Sequence, residues 1–403
     1  MQDQNPAPTR LVYLDWIRVA AFALLILYHV GMFYVTWDWH VKSDHAGHAL
    51  EPLMLLTNPW RLTLLFLVSG AATRFMADKL APGALAGRRT VRLLIPLLFA
   101  MAVIVPPQSY YEIVEQIGYR ASYFTFWARY LAADPGFCDA EGCLDLPTWN
   151  HLWFVAYLLV YTLLLALVLA AARRPLLRFG DWLSVRLDGA GLLVWPILFL
   201  AVARLVLMPM FEVTHALVDD WYNHAVSFAA FLFGFLLIKD GAVAAACIRI
   251  RRPAFALFLA AYAAYAGYAW AYRADDAVPP EALRIAMRLV YAVDQWTAIV
   301  AVLGYGALHL NRDSPLLRTL TEAVFPFYIL HQTIIVVAGH HLKPFHLPAA
   351  VEGLALVAIT AGGCWLGYDV VRRVRPLRPL FGLAPRRRPP PPSPALDRIA
   401  AAD

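Results

Sequence analysis

This sequence is short of charge. Asp, Glu, Lys and Arg make up 15% of 403 residues, while 61% are hydrophobic. Soluble domains carry about 25% charged and 45–50% apolar residues, so the deficit excludes an ordinary soluble domain and points to a polytopic membrane protein. The common catalytic frames are missing as well. There is no nucleophile elbow, no HExxH and no glycine-rich phosphate loop with its Lys. No repeat of fixed period stands out. No cleavable signal peptide is expected either: the first apolar run is too long, is interrupted by Arg18, and lacks a small-residue cleavage site. Cysteines number only four. Cys138 and Cys143 fall in an outer loop, where an oxidising compartment permits a disulfide that spacing alone does not establish. Cys247 and Cys364 read as small hydrophobes.

What is present is a series of apolar segments, each near the length that crosses a bilayer. Ten can be marked, at 12–36, 54–76, 92–108, 151–171, 190–210, 222–239, 253–272, 283–308, 323–342 and 350–371. The fold class is therefore all-α, a polytopic membrane protein of about ten transmembrane helices. The connections alternate between basic and acidic or neutral. Of the 34 Lys and Arg, 24 lie on one side, 5 on the other and 5 within spans. By the positive-inside rule both termini are cytoplasmic. That placement, rather than nucleic acid, accounts for the formal charge of +6. Residues 1–375 form one transmembrane domain, and 376–403 a basic, proline-rich cytoplasmic tail expected to be disordered. The long outer loop, 109–150, is rich in aromatics, which suit an interfacial belt or a platform for stacking on sugar rings.

The first segment carries Asp15, Arg18 and His29. At about 100° per residue, Arg18 and His29 fall within about 20° of one another, and Asp15 within about 60° of both. Charge inside a spanning helix is costly unless it faces the bundle interior or a polar cavity, so the stripe predicts a polar groove. A plain Asp15–Arg18 ion pair plus one satisfied His is the competing structural reading. Depth sorts the remaining polar groups into two tiers. An inner, cationic tier of Asp15, Arg18, Arg74 and Arg92 suits phosphates presented from the cytoplasm; Arg74 and Arg92 also fit ordinary positive-inside anchors. An outer tier holds His29, Arg61, Arg204 and His151, with Arg284 and Arg288 one turn apart and His331 nearer the middle. His331 and Asp294 also fit buried hydrogen-bonding residues that tie helices together. A neutral His at depth can act as general base towards an attacking hydroxyl or accept an acyl group itself. Nearby Arg side chains would stabilise a developing oxyanion. His215 and Asp220 share an H-x4-D spacing that reads as chance. His40, Asp44, His45 and His48, and likewise His340, His341 and His346, read as solvated loops; no metal site is expected.

Four blocks carry a family resemblance. LDWIRVAAFALLILYH, with ten residues between Arg18 and His29, resembles the Arg-x10-His signature of the acyltransferase family 3 membrane proteins. WRLTLLFLVSGAATRF, with Ser69-Gly70 before Arg74, is similar to the second-span block of that family. HLWFVAYLL and FPFYILHQTI match later blocks, and the order is kept through all ten spans. TWDWHVKSD, together with Arg61, looks most like the glucan succinyltransferase branch. The resemblance implies acyl transfer from cytoplasmic acyl-CoA, a co-substrate, to an extracytoplasmic glycan hydroxyl, with no other cofactor. It implies His29 as the catalytic residue, Arg18 as its partner in donor binding or positioning, and roles for Arg61, His151 and His331.

The expected protein is thus a multi-pass O-acyltransferase of a bacterial inner membrane. Its expected catalytic residues are His29, Arg61 and Arg18. Asp15, Arg74, Arg92, Ser69, His151, Arg204, Arg288, Asp294 and His331 are expected to bind substrate or donor. Its expected partners are acyl-CoA, a periplasmic glucan or other glycan, and membrane lipid, not nucleic acid; a homodimer is compatible with the sequence. A proton-coupled secondary transporter using His29, His331 and Asp294 is the alternative, although matching Gly/Pro-broken spans are not evident in its two halves. A structural or sensory role leaves the interior arginines unexplained.

Overall fold

A computed structural model of the protein describes residues 11–138, 142–239, 241–274 and 276–385. Fourteen α-helices follow in order: α1 Val12–Met32, α2 Glu51–Leu55, α3 Arg61–Ala77, α4 Pro82–Phe99, α5 Pro106–Gln116, α6 Tyr123–Leu131, α7 Trp153–Arg186, α8 Gly191–Val206, α9 Trp221–Leu237, α10 Ala242–Ala271, α11 Glu281–His309, α12 Pro315–Leu342, α13 Ala349–Arg373 and α14 Leu377–Leu380. The protein is an all-α, multi-pass membrane protein. Each of the ten expected segments is helical over most of its length. By length and composition, however, six helices among the described residues are long and apolar enough to cross a membrane, or seven if α9 and α10 count as one span. α3 and α9 have 17 residues each and α8 has 16, short of the roughly 20 that span unaided.

α1 is central, packed against α3, α11, α12 and α13. Elsewhere small residues let backbones approach. A Cβ on Gly70 of α3 would lie 1.9 Å from the Phe231 carbonyl oxygen of α9, and one on Gly234 of α9 would lie 1.8 Å from that of Leu67 in α3. The two glycines therefore define one reciprocal close crossing. α7 breaks its helical dihedrals at Ala172, three residues before Pro175, whose ring removes a backbone donor. The break falls where the expected span ends, and a basic amphipathic continuation runs on to Arg186.

Between α4 and α5 the chain passes through a π-helical turn, Ala100–Ile104. Such a turn loosens the backbone ladder and leaves carbonyls for other donors. Here Met101 accepts from the Tyr130 hydroxyl, Ala102 from the Trp127 indole and Ile104 from the Thr333 hydroxyl. Several aromatics of the outer loop serve as packing rather than as belt or platform. Ile113, Phe126, Tyr130 and Phe137 form a separate small core, with Tyr110, Tyr119 and Tyr123 packed on it. Cys138 and Cys143, at its edge, are joined by a disulfide. At the other end the packed domain continues past the expected boundary at 375. Arg378, Phe381 and Leu383 are buried, because Arg378 donates to the carbonyls of Arg372 and Ala384 and reaches Glu322. Residues 386–403 of the expected tail lie outside the described residues.

Candidate active site

A cavity of about 1010 Å³ lies among the ends of α1, α3, α7, α8 and α9 that the Lys and Arg distribution assigns to the outer side, and is closed by Tyr291 and Gln295 of α11 and Tyr328 and Gln332 of α12. The loops around 38–40, 145–150 and 213–216 complete its wall. His29 reaches it from α1, one helical turn before the chain leaves the helix.

The hydrogen bonds around His29 have a direction that backbone carbonyls impose, because a carbonyl only accepts. His331 Nδ1 lies 2.7 Å from the Tyr328 carbonyl oxygen and therefore carries a proton. In the neutral ring its Nε2 is then the acceptor. That atom lies 2.7 Å from His29 Nδ1, which must donate. The two rings are 7° from parallel with centroids 5.0 Å apart; with the facing nitrogens so close, they meet edge to edge rather than face to face. His29 Nε2 keeps its lone pair. His151 Nε2 donates to the same Tyr328 carbonyl at 3.0 Å, and the Tyr328 hydroxyl donates back to the His151 carbonyl. Its ring stands perpendicular to that of His331, 5.0 Å away.

A second chain of bonds is anchored in the same way. The Thr333 hydroxyl donates to the Ile104 carbonyl at 2.6 Å, so its oxygen accepts from Gln108 Nε2 at 2.7 Å. Gln108 Oε1 then takes Asn150 Nδ2 at 3.0 Å and Gln332 Nε2 at 3.1 Å. The Gln332 amide nitrogen consequently donates to His40 Nε2 at 2.9 Å, and His40 Nδ1 gives its proton to Glu112, 2.8 Å away. Burial works against charge on His40, but Glu112 more than offsets it and raises the imidazole above its ordinary value.

Two guanidinium groups in the cavity wall form no ion pair among the described residues. Arg61, 2% exposed, places its guanidinium carbon 3.4 Å from the centroid of the Tyr28 ring. Its Nε and Nη1 find no acceptor among the described residues. Arg204 lies 3.4 Å over Tyr291 and donates to the Tyr222 hydroxyl at 2.9 Å. Cation–π contact partly replaces water for both. An anionic ligand or a developing oxyanion would complete them.

Of the residues expected from sequence, His29, Arg61, His151 and Arg204 line this cavity, and His331 joins it through His29. The others lie elsewhere. Asp15 and Arg18 form an ion pair at 3.5 Å. Arg74 binds Asp78, which also takes Lys239 at 2.7 Å and Arg173 at 3.7 Å; that cluster holds the Asp78 carboxylate low against the opposing effect of burial. Arg92 is exposed and close enough, with Arg18, to act on the charge of buried Arg89, which donates to Thr73 at 2.5 Å. Ser69 and Arg288 are outside the cavity wall. Asp294 is fully buried behind it, and neither carboxylate oxygen has a partner among the described residues. The cavity therefore gathers the outer tier only; it does not follow the stripe down to Arg18.

Sequence reasoning missed Tyr28, Gln108, Glu112, Tyr328, Gln332 and Thr333, and placed His40 in a solvated loop. None is a charged group within a span, so none drew notice by its desolvation cost. The other loop histidines are occupied singly: His45 by the Leu347 carbonyl, His48 by Glu51, His340 by Glu115 and His341 by Tyr111. Among the described residues no group of three or more His, Cys, Asp or Glu gathers to hold a metal.

The family model described as "Acyltransferase domain" matches residues 11–369. The chain is 22% identical over 398 residues to glucans biosynthesis protein C of Escherichia coli strain K12, covering 94% of this chain and 97% of that protein. Glucans biosynthesis protein C of E. coli O139:H28 matches with the same identity and coverage. No solved structure matches the chain.

Proposed function

The chain belongs to the acyltransferase family 3 membrane proteins, and we propose that it is an inner-membrane O-acyltransferase. In this reading it moves a succinyl or acetyl group from cytoplasmic acyl-CoA to a hydroxyl of a periplasmic glucan or other polysaccharide. The glucan is suggested by the name of its relatives. The observation that carries the reading is the His29–His331 pair, which leaves one basic imidazole nitrogen beside a large outer cavity and a guanidinium that forms no ion pair among the described residues.

The chemistry follows from that arrangement. The acceptor hydroxyl gives its proton to His29 Nε2 as its oxygen attacks the thioester carbonyl. His331 accepts from His29 Nδ1 and steadies the imidazolium that forms, as the orienting member of a catalytic triad does. The tetrahedral oxyanion faces Arg61, with Arg204 as the second cation of the wall. Collapse breaks the carbon–sulfur bond, and the departing thiolate recovers the proton from His29. Arg18, Arg89 and Arg92 on the inner side suit the donor's phosphates, with both termini cytoplasmic.

The test is acyl transfer by the purified protein from labelled succinyl-CoA or acetyl-CoA to a glucan. Transfer that depends on His29 is expected. A fully active His29→Ala variant ends the proposal.

A further inference from the structure

We infer that the cavity wall built from Trp149, Trp153 and His215 is the acceptor subsite, where a sugar ring of the glycan docks and presents its hydroxyl to His29. This rests on the acyltransferase reading above and adds where, and by which side chains, the acceptor is held.

The loop between α8 and α9 is ordered around one buried carboxylate. Asp220, fully buried, accepts at Oδ2 from the Tyr157 hydroxyl at 2.5 Å, the His215 amide at 3.1 Å and Asn223 Nδ2 at 2.9 Å. The H-x4-D spacing is thus meaningful, but not as an imidazole–carboxylate dyad: Asp220 holds the backbone of His215. Two further bonds fix the loop, from the Trp149 indole to the His215 carbonyl at 3.0 Å and between His224 Nε2 and the Leu217 carbonyl at 2.9 Å. His215, Leu217 and Asp219 adopt left-handed backbone angles, with φ of 57°, 69° and 60°. Non-glycine residues hold such angles only where their surroundings enforce them, and such positions gather at functional sites.

What the loop displays is the His215 ring. It lies 4.1 Å from the Trp153 ring, 21° from parallel, and lines the cavity. The anchors that reach His215 engage its backbone amide and carbonyl; among the described residues neither nitrogen of the ring itself is hydrogen-bonded. Burial pushes its pKa down, with Asp220 opposing, so near neutrality the ring offers one donor and one acceptor. Neutral polar groups, including Thr214, Asn223 and Ser227, continue the wall. An aromatic face beside neutral donors and acceptors matches a sugar, with its apolar ring face and hydroxyl edge. The chain entering α7 bridges the two halves of the site: His151, just before the helix, touches His331, and Trp153, its first residue, carries His215. At about 1010 Å³ the cavity holds far more than an acyl group, since pockets of about 300–1,000 Å³ enclose whole drug-sized ligands.

The test uses the full-length protein in detergent, with acyl-CoA and a gluco-oligosaccharide as substrates. His215→Ala is expected to raise the acceptor KM about tenfold, keep kcat within about twofold and leave the donor KM unchanged, the pattern of lost ground-state binding. His215→Gln, which keeps a donor and an acceptor, should recover most of that loss. Oligosaccharide binding without donor, read from tryptophan fluorescence, should weaken in parallel. An unchanged acceptor KM in an active His215→Ala enzyme overturns the subsite alone, as does a rise confined to the donor KM. Failure of the wild-type protein to transfer to any glycan overturns the functional reading and the subsite with it.

Discussion

The ring nitrogen that His29 leaves open to the cavity is selected by a residue 302 positions away, His331, and behind it by the Tyr328 carbonyl. A ring that loses this partner can turn or adopt the other tautomer, and then presents a proton where a lone pair is needed. His331→Ala should therefore lower kcat about 10²-fold, the lower range for removing acid–base assistance, with the acceptor KM little changed. His331→Gln, whose amide oxygen can accept from His29 Nδ1, should retain more activity than His331→Ala. Equal losses in both variants, or a loss confined to KM, would reject the positioning role.

His40 gives the site a pH dependence whose sign can be worked out. In the neutral ring Nε2 accepts from the Gln332 amide, and Glu112 holds Nδ1. Glu112 raises the His40 pKa, so as pH falls through that raised value the ring gains a proton at Nε2. It then no longer accepts from Gln332 and places a positive charge near His29. Activity should fall on that acid side. Glu112→Gln removes the carboxylate that favours the charged ring, so the acid limb of kcat/KM should move to lower pH. A pH–rate profile that does not move would show that His40 does not control it.

At the same scale lies the reason why the site was partly legible. His29, Arg61, His151 and Arg204 stood out because ionisable groups within apolar segments are expensive and need a cavity. Gln108, Gln332 and Thr333 carry no charge, and their importance lies in the direction of hydrogen bonds that only the assembled helices create. His40 belongs to a loop whose composition looks solvated, and its partners come from α5 and α12.

At the scale of elements, the helices were legible from length and apolarity, while several ends were not. The basic stretches at 82–91 and 242–252 read as connections but are the first turns of α4 and α10. Arg and Lys tolerate helix well, so positive charge marks the membrane side without ending the helix. The span end expected at 171 coincides with the break at Ala172, where Pro175 acts locally. The crossing of α3 and α9 could not be read at all, since it needs two glycines 164 residues apart to face one another. Gly70→Val and Gly234→Val should each destabilise the protein by about 3 kcal/mol or more, as overpacking against rigid backbone leaves nothing to yield. Gly267→Ala, in α10 with open space around the added methyl, should be neutral or stabilising by about 0.5–1 kcal/mol. Thermal unfolding in detergent separates the two classes. A Gly70→Val protein as stable as wild type would contradict the close crossing.

For the whole molecule, the question is which way the cavity faces. Ten helices occupy the places of ten expected spans, but α3, α8 and α9 are short. α3 and α9 shelter one another, and the outer ends of all three border the cavity rather than lipid alone. Non-lipid surroundings relax the length that a spanning helix needs. In the proposed orientation, read from the bias of Lys and Arg, the His29 cavity would lie outside and the Arg18, Arg89 and Arg92 cluster inside, so donor and acceptor would meet from opposite sides. The chain's own thiols make this measurable: Cys247 and Cys364 are buried, and Cys138 and Cys143 are bonded to one another. Thr214→Cys, on the cavity rim, should react with an impermeant maleimide supplied to the outer face of intact inner membrane. Arg318→Cys, beside Asp313 at the opposite end of α12, should react only after lysis. The reverse pattern would turn the molecule over in the membrane, place the acceptor cavity in the cytoplasm, and leave a periplasmic glycan with no route to His29.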